Sequence, residues 1–262
     1  MSLVAPVKFL YPQPVDESKP LFIFLPGMDG SGRLLRPQIE KLAPLFDIRC
    51  LALNHHCKSD WNTLTHQVNE LIIEEIGQRT ARERQIFLCG ESFGGCLAMQ
   101  LLSIAPDLFQ RVILINPASS FRKLPWMQLG SMITRRLPSM AYRYSSQGIV
   151  PFLIEAGRVD GRERVALTNA MEAVPAETAA WRMSQLSKFE VERLPLERMM
   201  HPVLLIAGGS DRLLPSKREA KSLMARFPNA QLVLLPQSGH ACLLETETNL
   251  QQILEKENFL SP

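Results

Sequence analysis

The chain has 262 residues, of which 46% are hydrophobic and 21% are charged, and its formal net charge is +3. A chain of this length buries one large core, with or without a small inserted unit. The low net charge argues against a nucleic-acid partner, and no apolar run approaches the length of a membrane span. Five scattered cysteines and the lack of a signal-peptide pattern predict a reducing, cytoplasmic compartment.

Apolar runs of strand length alternate with segments of helical spacing along the chain. Leu21–Leu25 is apolar at every position, which is typical of a strand buried on both faces. Trp61–Gly77 has helical spacing, and Asp60 or Asn62 is suited to cap that helix. This alternation predicts an α/β fold with a mostly parallel sheet and helices on both faces. The predicted strands are 4–10, 21–25, 48–53, 86–89, 111–115, 202–207 and 232–235, and the predicted helices pass through 39–42, span 61–77, follow Ser92, and cover about 215–227 and 245–255.

The stretch 90–95 carries the strongest chemical signal. Ser92 stands in a G-x-S-x-G motif between a predicted strand and a predicted helix. That context is typical of a nucleophile elbow, in which Gly90 and Gly94 let the strand and helix cross closely. The helix start aims free N–H groups at the same place. The alternative interpretation is a glycine-rich turn with a capping serine.

A serine nucleophile needs a base, and the base needs a carboxylate to orient it. In α/β-hydrolases the chain order is serine, acid, histidine. His240 follows a late strand at its carboxyl end and is the predicted base. Asp211 lies four residues beyond the strand that ends at Ala207 and is the predicted acid, with a helix cap as its alternative role. His201 precedes its strand, so we interpret it as a structural histidine.

An oxyanion hole of this type uses two backbone N–H groups. One is expected from Phe93, directly after the serine. The other is expected from Met28 in the small-residue loop 26–32, although Met28 can equally be a core methionine. Asp29 in the same loop either stabilises the turn, which is the favoured interpretation, or contacts a polar substrate group.

No motif of the sequence predicts a metal or a cofactor. His55, His56, Cys57 and Asp60 lie close in sequence, but their spacing matches no common zinc site, and a solvated loop is the preferred interpretation. The glycines of 90–95 do not form the G-x-G-x-x-G pattern of a dinucleotide site.

The strand rhythm stops between residues 118 and 198. This interval contains many helix-forming residues and is too long for one crossover connection. It predicts a helical cap, or lid, inserted into a hydrolase core formed by 1–117 and 199–262. Basic residues here are interpreted as a solvated face, with transient membrane-surface contact as the alternative. The basic residues are Arg158, Arg162 and Arg164, and an apolar cluster is formed by Trp126, Met127, Leu129, Met132 and Ile133 beside Arg135 and Arg136.

The segments 21–32, 91–98 and 116–121 resemble the α/β-hydrolase superfamily. Within it they are similar to the hydrolase part of the phytyl ester synthase/diacylglycerol acyltransferase-like family and its bacterial relatives, with the Pro-Gly-x-Asp-Gly loop as the narrower signal. The resemblance implies lipid-like acyl groups and esterification of long-chain alcohols. The plant members carry a second, acyltransferase-like region, whereas this chain stops at Pro262, so hydrolysis is the simpler expectation.

Together these patterns predict a serine hydrolase that cleaves a carboxylic ester with a hydrophobic moiety through an acyl-enzyme on Ser92. Its partner would be a small-molecule ester, and the oligomeric state is left open. Three other functions stay open. They are acyl transfer to a long-chain alcohol, thioester hydrolysis or a lyase reaction on the same scaffold, and a catalytically silent binding protein.

Overall fold

A seven-stranded sheet forms the centre of the molecule in a computed structural model, which describes residues 5–77, 85–124 and 148–260. The strands are Val7–Leu10 (β1), Leu21–Leu25 (β2), Asp47–Leu53 (β3), Ile86–Glu91 (β4), Arg111–Ile115 (β5), Val203–Gly208 (β6) and Ala230–Leu235 (β7). Their spatial order is β1-β3-β2-β4-β5-β6-β7. Only the β1–β3 pair is antiparallel within this described sheet. The predicted α/β fold with a mostly parallel sheet is confirmed.

Helices cover both faces of this sheet, as predicted. They are Arg36–Leu42 (α1), Trp61–Gly77 (α2), Phe93–Ile104 (α3), Gly161–Glu172 (α4), Ala176–Lys188 (α5), Ser216–Met224 (α6) and Leu250–Lys256 (α7). Successive side chains of β2 point to opposite faces, so Leu21 and Ile23 pack with α2, α3 and α6, whereas Phe22 and Phe24 pack with α1 and α7. The continuous apolar run of β2 follows from this two-sided burial.

The start of α2 agrees with the sequence prediction. The Asp60 side chain accepts a hydrogen bond from the Thr63 amide at 2.8 Å, so Asp60 rather than Asn62 caps the helix. Trp61, the first helical residue, is buried and points into the core. The cap and the buried aromatic residue together fix where this helix begins.

Two predicted helices near the C-terminal end have different bounds in the structure. The helix predicted over 215–227 is shorter and is α6. The helix predicted over 245–255 begins only at Leu250, because the Asn249 side chain caps it by accepting from the Gln252 amide. Placing Glu245 in that helix was wrong, since this residue is buried in the preceding turn.

Between β5 and β6 the structure describes residues 118–124 and 148–198, and these contain α4, α5 and short 3₁₀ turns. Leu186 and Phe189 pack into the same apolar cluster as Phe93 of α3, so this part of the 118–198 segment lies over the start of α3. The division into a core and a cap stays a prediction. The predicted cluster from Trp126 to Ile133, with Arg135 and Arg136, lies outside the described residues.

Membrane insertion is a separate question for these helices. In the part of the chain that the structure describes, no helix is both long enough and apolar enough to cross a bilayer.

Candidate active site

Ser92 occupies a sharp turn between β4 and α3. Its φ of 52° lies in the left-handed region that a residue with a side chain rarely adopts. The flanking glycines are required by packing. A Cβ on Gly90 would lie 2.4 Å from the Gly94 carbonyl oxygen, and one on Gly94 would lie 2.1 Å from the Leu25 carbonyl oxygen. The strand–turn–helix geometry predicted for 90–95 is therefore present.

The three side chains predicted to act together are in hydrogen-bond contact. His240 Nε2 lies 2.8 Å from Ser92 Oγ, and His240 Nδ1 lies 2.7 Å from Asp211 Oδ2. They come from loops that leave the carboxyl ends of β4, β6 and β7, which meet at one edge of the parallel sheet. His240 is buried, whereas Ser92 keeps partial solvent access. The arrangement has the geometry of a nucleophile, a base and an orienting acid.

The Asp211 carboxylate is held by donors on both oxygens. Oδ1 accepts from the amides of Leu213 and Leu214 at 2.8 and 3.0 Å, and Oδ2 accepts from Ser216 Oγ as well as from His240. Burial raises the pKa of Asp211, but His240 and these donors outweigh it, so the pKa lies below its usual value. The Asp211 carboxylate therefore stabilises the turn before α6 and, at the same time, contacts the His240 ring.

Asn116 is a buried support that the sequence prediction missed. Its Nδ2 donates to the His240 carbonyl oxygen at 2.6 Å, and its Oδ1 accepts from the Gly208 amide at 2.8 Å. One amide side chain thus joins the ends of β5 and β6 to the histidine loop. Its place directly after a buried strand, before Pro117, was the available signal, because ligand sites lie at such strand ends.

Glu245 is a second support that was missed. Its Oε1 accepts from the Gly239 amide at 2.8 Å, and its Oε2 accepts from Arg158 Nε at 2.8 Å. The interpretation of Arg158 as part of a solvated face was wrong, because its side chain is mostly buried in ion pairs with Glu245 and Glu247. The sequence pattern places Glu245 and Glu247 in the last helix, so it does not predict their ion pairs with Arg158.

Glu91, directly before the serine, is a third buried group that was missed. Its Oε1 has no hydrogen-bond partner among the described residues. Burial raises the pKa of Glu91 to about 7, with the nearby His240 opposing and Asp29 adding to the shift. For His240, burial lowers the pKa, but the carboxylates of Asp211 and Glu91 outweigh it and the pKa lies above its usual value.

The loop after β2 contains Met28, whose N–H is one of the two donors that the sequence predicts for an oxyanion hole. The Gly30 amide donates to the Gly27 carbonyl at 3.0 Å, so that carbonyl points into the turn. Because the carbonyl and the N–H of a trans peptide point in opposite directions, the Met28 N–H points away from the turn. A Cβ on Gly27 would lie 3.8 Å from Ser92 Cβ, so this peptide adjoins the serine. Neither the Met28 nor the Phe93 N–H donates a hydrogen bond to the described residues.

Asp29 stabilises this loop, as the favoured interpretation predicted. Its Oδ2 accepts from the Ser31 amide at 2.8 Å and from the Ser31 hydroxyl. The side chain is buried, and burial raises the pKa of Asp29. Contact between Asp29 and a polar substrate group stays the alternative prediction.

Aromatic side chains lie beside the elbow. The Trp61 ring stacks on the Phe93 ring at 4.6 Å between centroids and meets the Phe189 ring edge-on at 5.4 Å. Trp61 Nε1 donates to the Gln185 carbonyl at 2.8 Å, which satisfies its polar atom. The packing joins α2, α3 and the 118–198 segment through an apolar layer.

The side chains of His201 and of three cysteines lie outside the hydrogen-bonded set of Ser92, His240 and Asp211. His201 Nε2 lies 3.0 Å from the Pro106 carbonyl oxygen, which agrees with its interpretation as a structural histidine, whereas its buried Nδ1 has no hydrogen-bond partner among the described residues. Cys50, Cys89 and Cys96 are buried free thiols. Within residues 5–77, 85–124 and 148–260, no group of three or more potential metal ligands comes together.

Two relatives by sequence bear names that match the predicted chemistry. Phytyl ester synthase 1, chloroplastic, of Arabidopsis thaliana is 28% identical over 93% of this chain and 37% of its own length. A pimeloyl-[acyl-carrier protein] methyl ester esterase of Nitrosomonas europaea is 29% identical over 79% of this chain and 82% of its own. The chain thus spans little more than a third of the phytyl ester synthase that it matches, and the resemblance to that family is confirmed.

Solved structures support the fold. A thermophilic esterase from Thermogutta terrifontis superimposes with a TM-score of 0.76 at 17% identity, covering 98% of this chain and 94% of that one. A hydrolase from Oleispira antarctica also gives 0.76, at 14% identity, covering 97% and 93%. The model of the alpha/beta hydrolase family matches residues 22–252, most of the chain. The chain therefore belongs to the alpha/beta hydrolase family, and the prediction of a hydrolase-type enzyme is confirmed at that level.

Proposed function

We propose that the protein is a serine hydrolase that cleaves a carboxylic ester through an acyl-enzyme on Ser92. The observation that carries the proposal is the continuous hydrogen-bond chain from Ser92 through His240 to Asp211. His240 takes the hydroxyl proton as Ser92 Oγ attacks the ester carbonyl, and Asp211 stabilises the imidazolium that forms. The tetrahedral intermediate collapses, and the alcohol leaves with the proton that His240 held. Water then attacks the acyl-enzyme, with His240 again as base, and the carboxylic acid is released.

Two backbone N–H groups are proposed to bind the oxyanion of this intermediate. The Phe93 N–H stands at the start of α3, where the helix dipole also favours negative charge. The Met28 N–H adjoins the serine from the loop after β2 and points out of its turn. Preorganised donors of this kind supply a large part of the rate enhancement of acyl-transfer enzymes.

A hydrophobic acyl or alcohol group is the proposed substrate feature. The stacked rings of Trp61 and Phe93, with Phe189 against them, place an apolar layer beside the elbow. Met28 and Met183 are partly buried against the same cluster, and methionine side chains adapt to varied apolar shapes. The name of the Nitrosomonas europaea relative, a methyl ester esterase of an acyl chain, agrees with such a substrate.

Acyl transfer is the second candidate, and the sequence match to a phytyl ester synthase over 93% of this chain favours it. In this reaction a long-chain alcohol replaces water in the second step, while the same residues act. Adding phytol with an acyl donor separates the two, because transfer gives phytyl ester and hydrolysis gives free acid. CoA esters offered beside p-nitrophenyl esters test thioester hydrolysis in the same assay.

We expect a fluorophosphonate probe to label the wild-type protein and to leave Ser92→Ala unlabelled. The probe reacts with an activated serine, and activation here requires the contact with His240. Ser103→Ala is the matched control, since Ser103 lies on the same helix and its hydroxyl donates only to the Gln100 carbonyl. Equal labelling of wild type and Ser92→Ala would reject the proposal. A wild type that is neither labelled nor active on any ester would favour a silent binding protein.

We expect the rate to fall on the acid side through a pKa above 6.5, the usual value for histidine. Burial lowers the pKa of His240, but the carboxylates of Asp211 and Glu91 raise it by more than burial lowers it. Since only the neutral ring accepts the serine proton, activity is lost as the pH falls through this raised pKa. The measurement is kcat/KM for a p-nitrophenyl ester from about pH 5 to about pH 9. A midpoint clearly below 6.5 would contradict the assignment of His240.

The biological setting of the reaction stays a prediction. The sequence predicts a cytoplasmic compartment and leaves transient membrane-surface contact open as an alternative, and one relative is chloroplastic by name. The small-molecule ester partner follows from the proposed reaction.

A further inference from the structure

Arg182 of α5 reaches from the 118–198 segment to the loop after β2. Its side chain is buried, with 2% of the residue exposed. Nη1 donates to the Met28 carbonyl oxygen at 2.6 Å, and Nη2 donates to the Asn54 carbonyl oxygen at 3.3 Å. A buried arginine is thus directed at the main chain of the loop that carries the proposed oxyanion donor.

The guanidinium lies directly against the turn of that loop. Gly30 has a φ of +64°, and a Cβ there would lie 2.7 Å from Arg182 Nη1. Glycine at this position therefore serves both the left-handed backbone and the close approach of the arginine. The loop also contains the buried Asp29 carboxyl group; burial raises its pKa, and the charge of Arg182 opposes part of that rise.

Two hydrogen bonds define the orientation of the Met28 backbone. The Gly27 carbonyl accepts from the Gly30 amide, and the Met28 carbonyl accepts from Arg182. These carbonyls belong to the peptide planes before and after Met28, so both planes are held. The Met28 N–H belongs to the first plane and is directed away from the turn, in a peptide that adjoins Ser92. Arg182 holds the second plane, so it limits rotation of the Met28 backbone that would turn the first plane.

We propose that Arg182 is a positioning residue that holds the Met28 N–H in place as an oxyanion donor, so that the 118–198 segment helps to set the reaction rate. The inference rests on the proposed function, because it gives the Met28 N–H its role. Arg182 acts on the loop and not on the substrate. Its loss should therefore weaken transition-state stabilisation and leave ground-state binding nearly unchanged.

The test compares Arg182→Met, which keeps much of the apolar stem, with Arg182→Lys, which keeps one donor to the Met28 carbonyl. Loss of a whole oxyanion donor costs roughly 10²–10³-fold in kcat. A displaced donor should cost less, so we expect kcat to fall about 30-fold in Arg182→Met and about 5-fold in Arg182→Lys, with KM within about threefold of wild type. The rate of fluorophosphonate labelling should fall in parallel, since that adduct also develops an oxyanion.

Arg226→Met is the matched control. Arg226 also ties the 118–198 segment to the core through main-chain carbonyls, those of Val191 and Leu194, at 2.6 and 2.8 Å. Its removal should lower stability without slowing labelling. Hydrogen exchange of the amides in 27–30 gives a readout that needs no activity, and we expect it to be faster in Arg182→Met than in Arg226→Met.

The outcomes separate the two proposals. A wild type that is not labelled rejects the proposed function and the role of Arg182 with it. If the wild type is labelled and Arg182→Met reacts at the same rate, only the role of Arg182 is rejected. A raised KM with unchanged kcat would indicate that Arg182 binds the substrate, which also rejects it. Should Arg182→Met fail to fold, Arg182→Lys decides by the same rate, KM and exchange criteria.

Discussion

Asp211→Asn should lower kcat/KM by about 10⁴-fold while leaving the protein folded. The reason lies in the donors around the carboxylate. Oδ1 accepts from the amides of Leu213 and Leu214, so the oxygen of an asparagine must stay there, and its NH₂ group must face His240 and Ser216. Placing the NH₂ group at the other position would set it against two N–H donors.

An asparagine NH₂ group donates a hydrogen bond, so His240 Nδ1 must become the acceptor. The ring proton then moves to Nε2, which faces Ser92 Oγ at 2.8 Å and can no longer take the serine proton. The substitution also removes the negative charge that raises the pKa of His240, so the acid limb of the remaining activity should move to lower pH. A general loss of structure would not produce this shift.

Two control variants make the result specific. Ser216→Ala removes one donor to the carboxylate but keeps its charge and its contact with His240, and we expect a loss of no more than about tenfold. Asp160→Asn makes the same chemical change at the cap of α4, where the side chain accepts from the Glu163 amide, and should leave kcat/KM unchanged. An Asp211→Asn enzyme within tenfold of wild type would show that Asp211 does not orient the base.

The parts of the site that the sequence revealed share one physical property: their signals are local. Ser92 is marked by glycines that the crossing of β4 and α3 requires. Asp211 and His240 are marked by their place after the carboxyl ends of strands, and a parallel sheet brings such ends together. The central strands could also be predicted from the sequence, because burial on both faces makes their apolar runs continuous.

The parts that the sequence did not reveal depend on partners that are distant along the chain. Asn116 bonds to His240, 124 positions away, and its place at a strand end indicates a ligand site but does not identify this partner. Glu245 was placed in a helix because its neighbours have helical spacing, yet its carboxylate caps Gly239 and pairs with Arg158. Arg182 likewise bonds to Met28, 154 positions before it. A polar or charged residue is usually solvated, so the sequence alone favours exposure for each of them.

Glu91 is the clearest of these buried charges, and it has a consequence for stability. It follows Cys89 by two positions in β4 and so points to the same face of the sheet. The residue is buried, and its Oε1 has no hydrogen-bond partner in the parts of the chain that the structure describes. Burial raises its pKa to about 7 from a usual value of 4.5, so the folded protein binds this proton more tightly than the unfolded chain.

The sign of the pH effect follows from linkage. Well below the unfolded pKa of 4.5 the group is protonated in both states, and its titration does not change the free energy of unfolding. As the pH rises from 4.5 to about 7, the unfolded chain releases the proton before the folded protein does, so the free energy of unfolding falls. Above pH about 7 the ionised Glu91 lowers the free energy of unfolding by the full amount. A shift of this size corresponds to a destabilisation on the order of 3 kcal/mol.

We therefore expect Glu91→Gln to be more stable than wild type at pH 8, by on the order of 3 kcal/mol relative to the same comparison at pH 4.5. Urea unfolding of wild type and Glu91→Gln at the two pH values measures the difference. The comparison at pH 4.5 corrects for effects of the side-chain change that do not depend on ionisation. Glu219→Gln is the control for this exchange at a buried site, where the carboxylate accepts from Ser119, and it should gain no stability at pH 8. The Glu91 carboxylate also raises the pKa of His240, so Glu91→Gln should move the acid limb of kcat/KM to lower pH. A Glu91→Gln protein whose stability follows wild type at both pH values would show that Glu91 carries no buried charge.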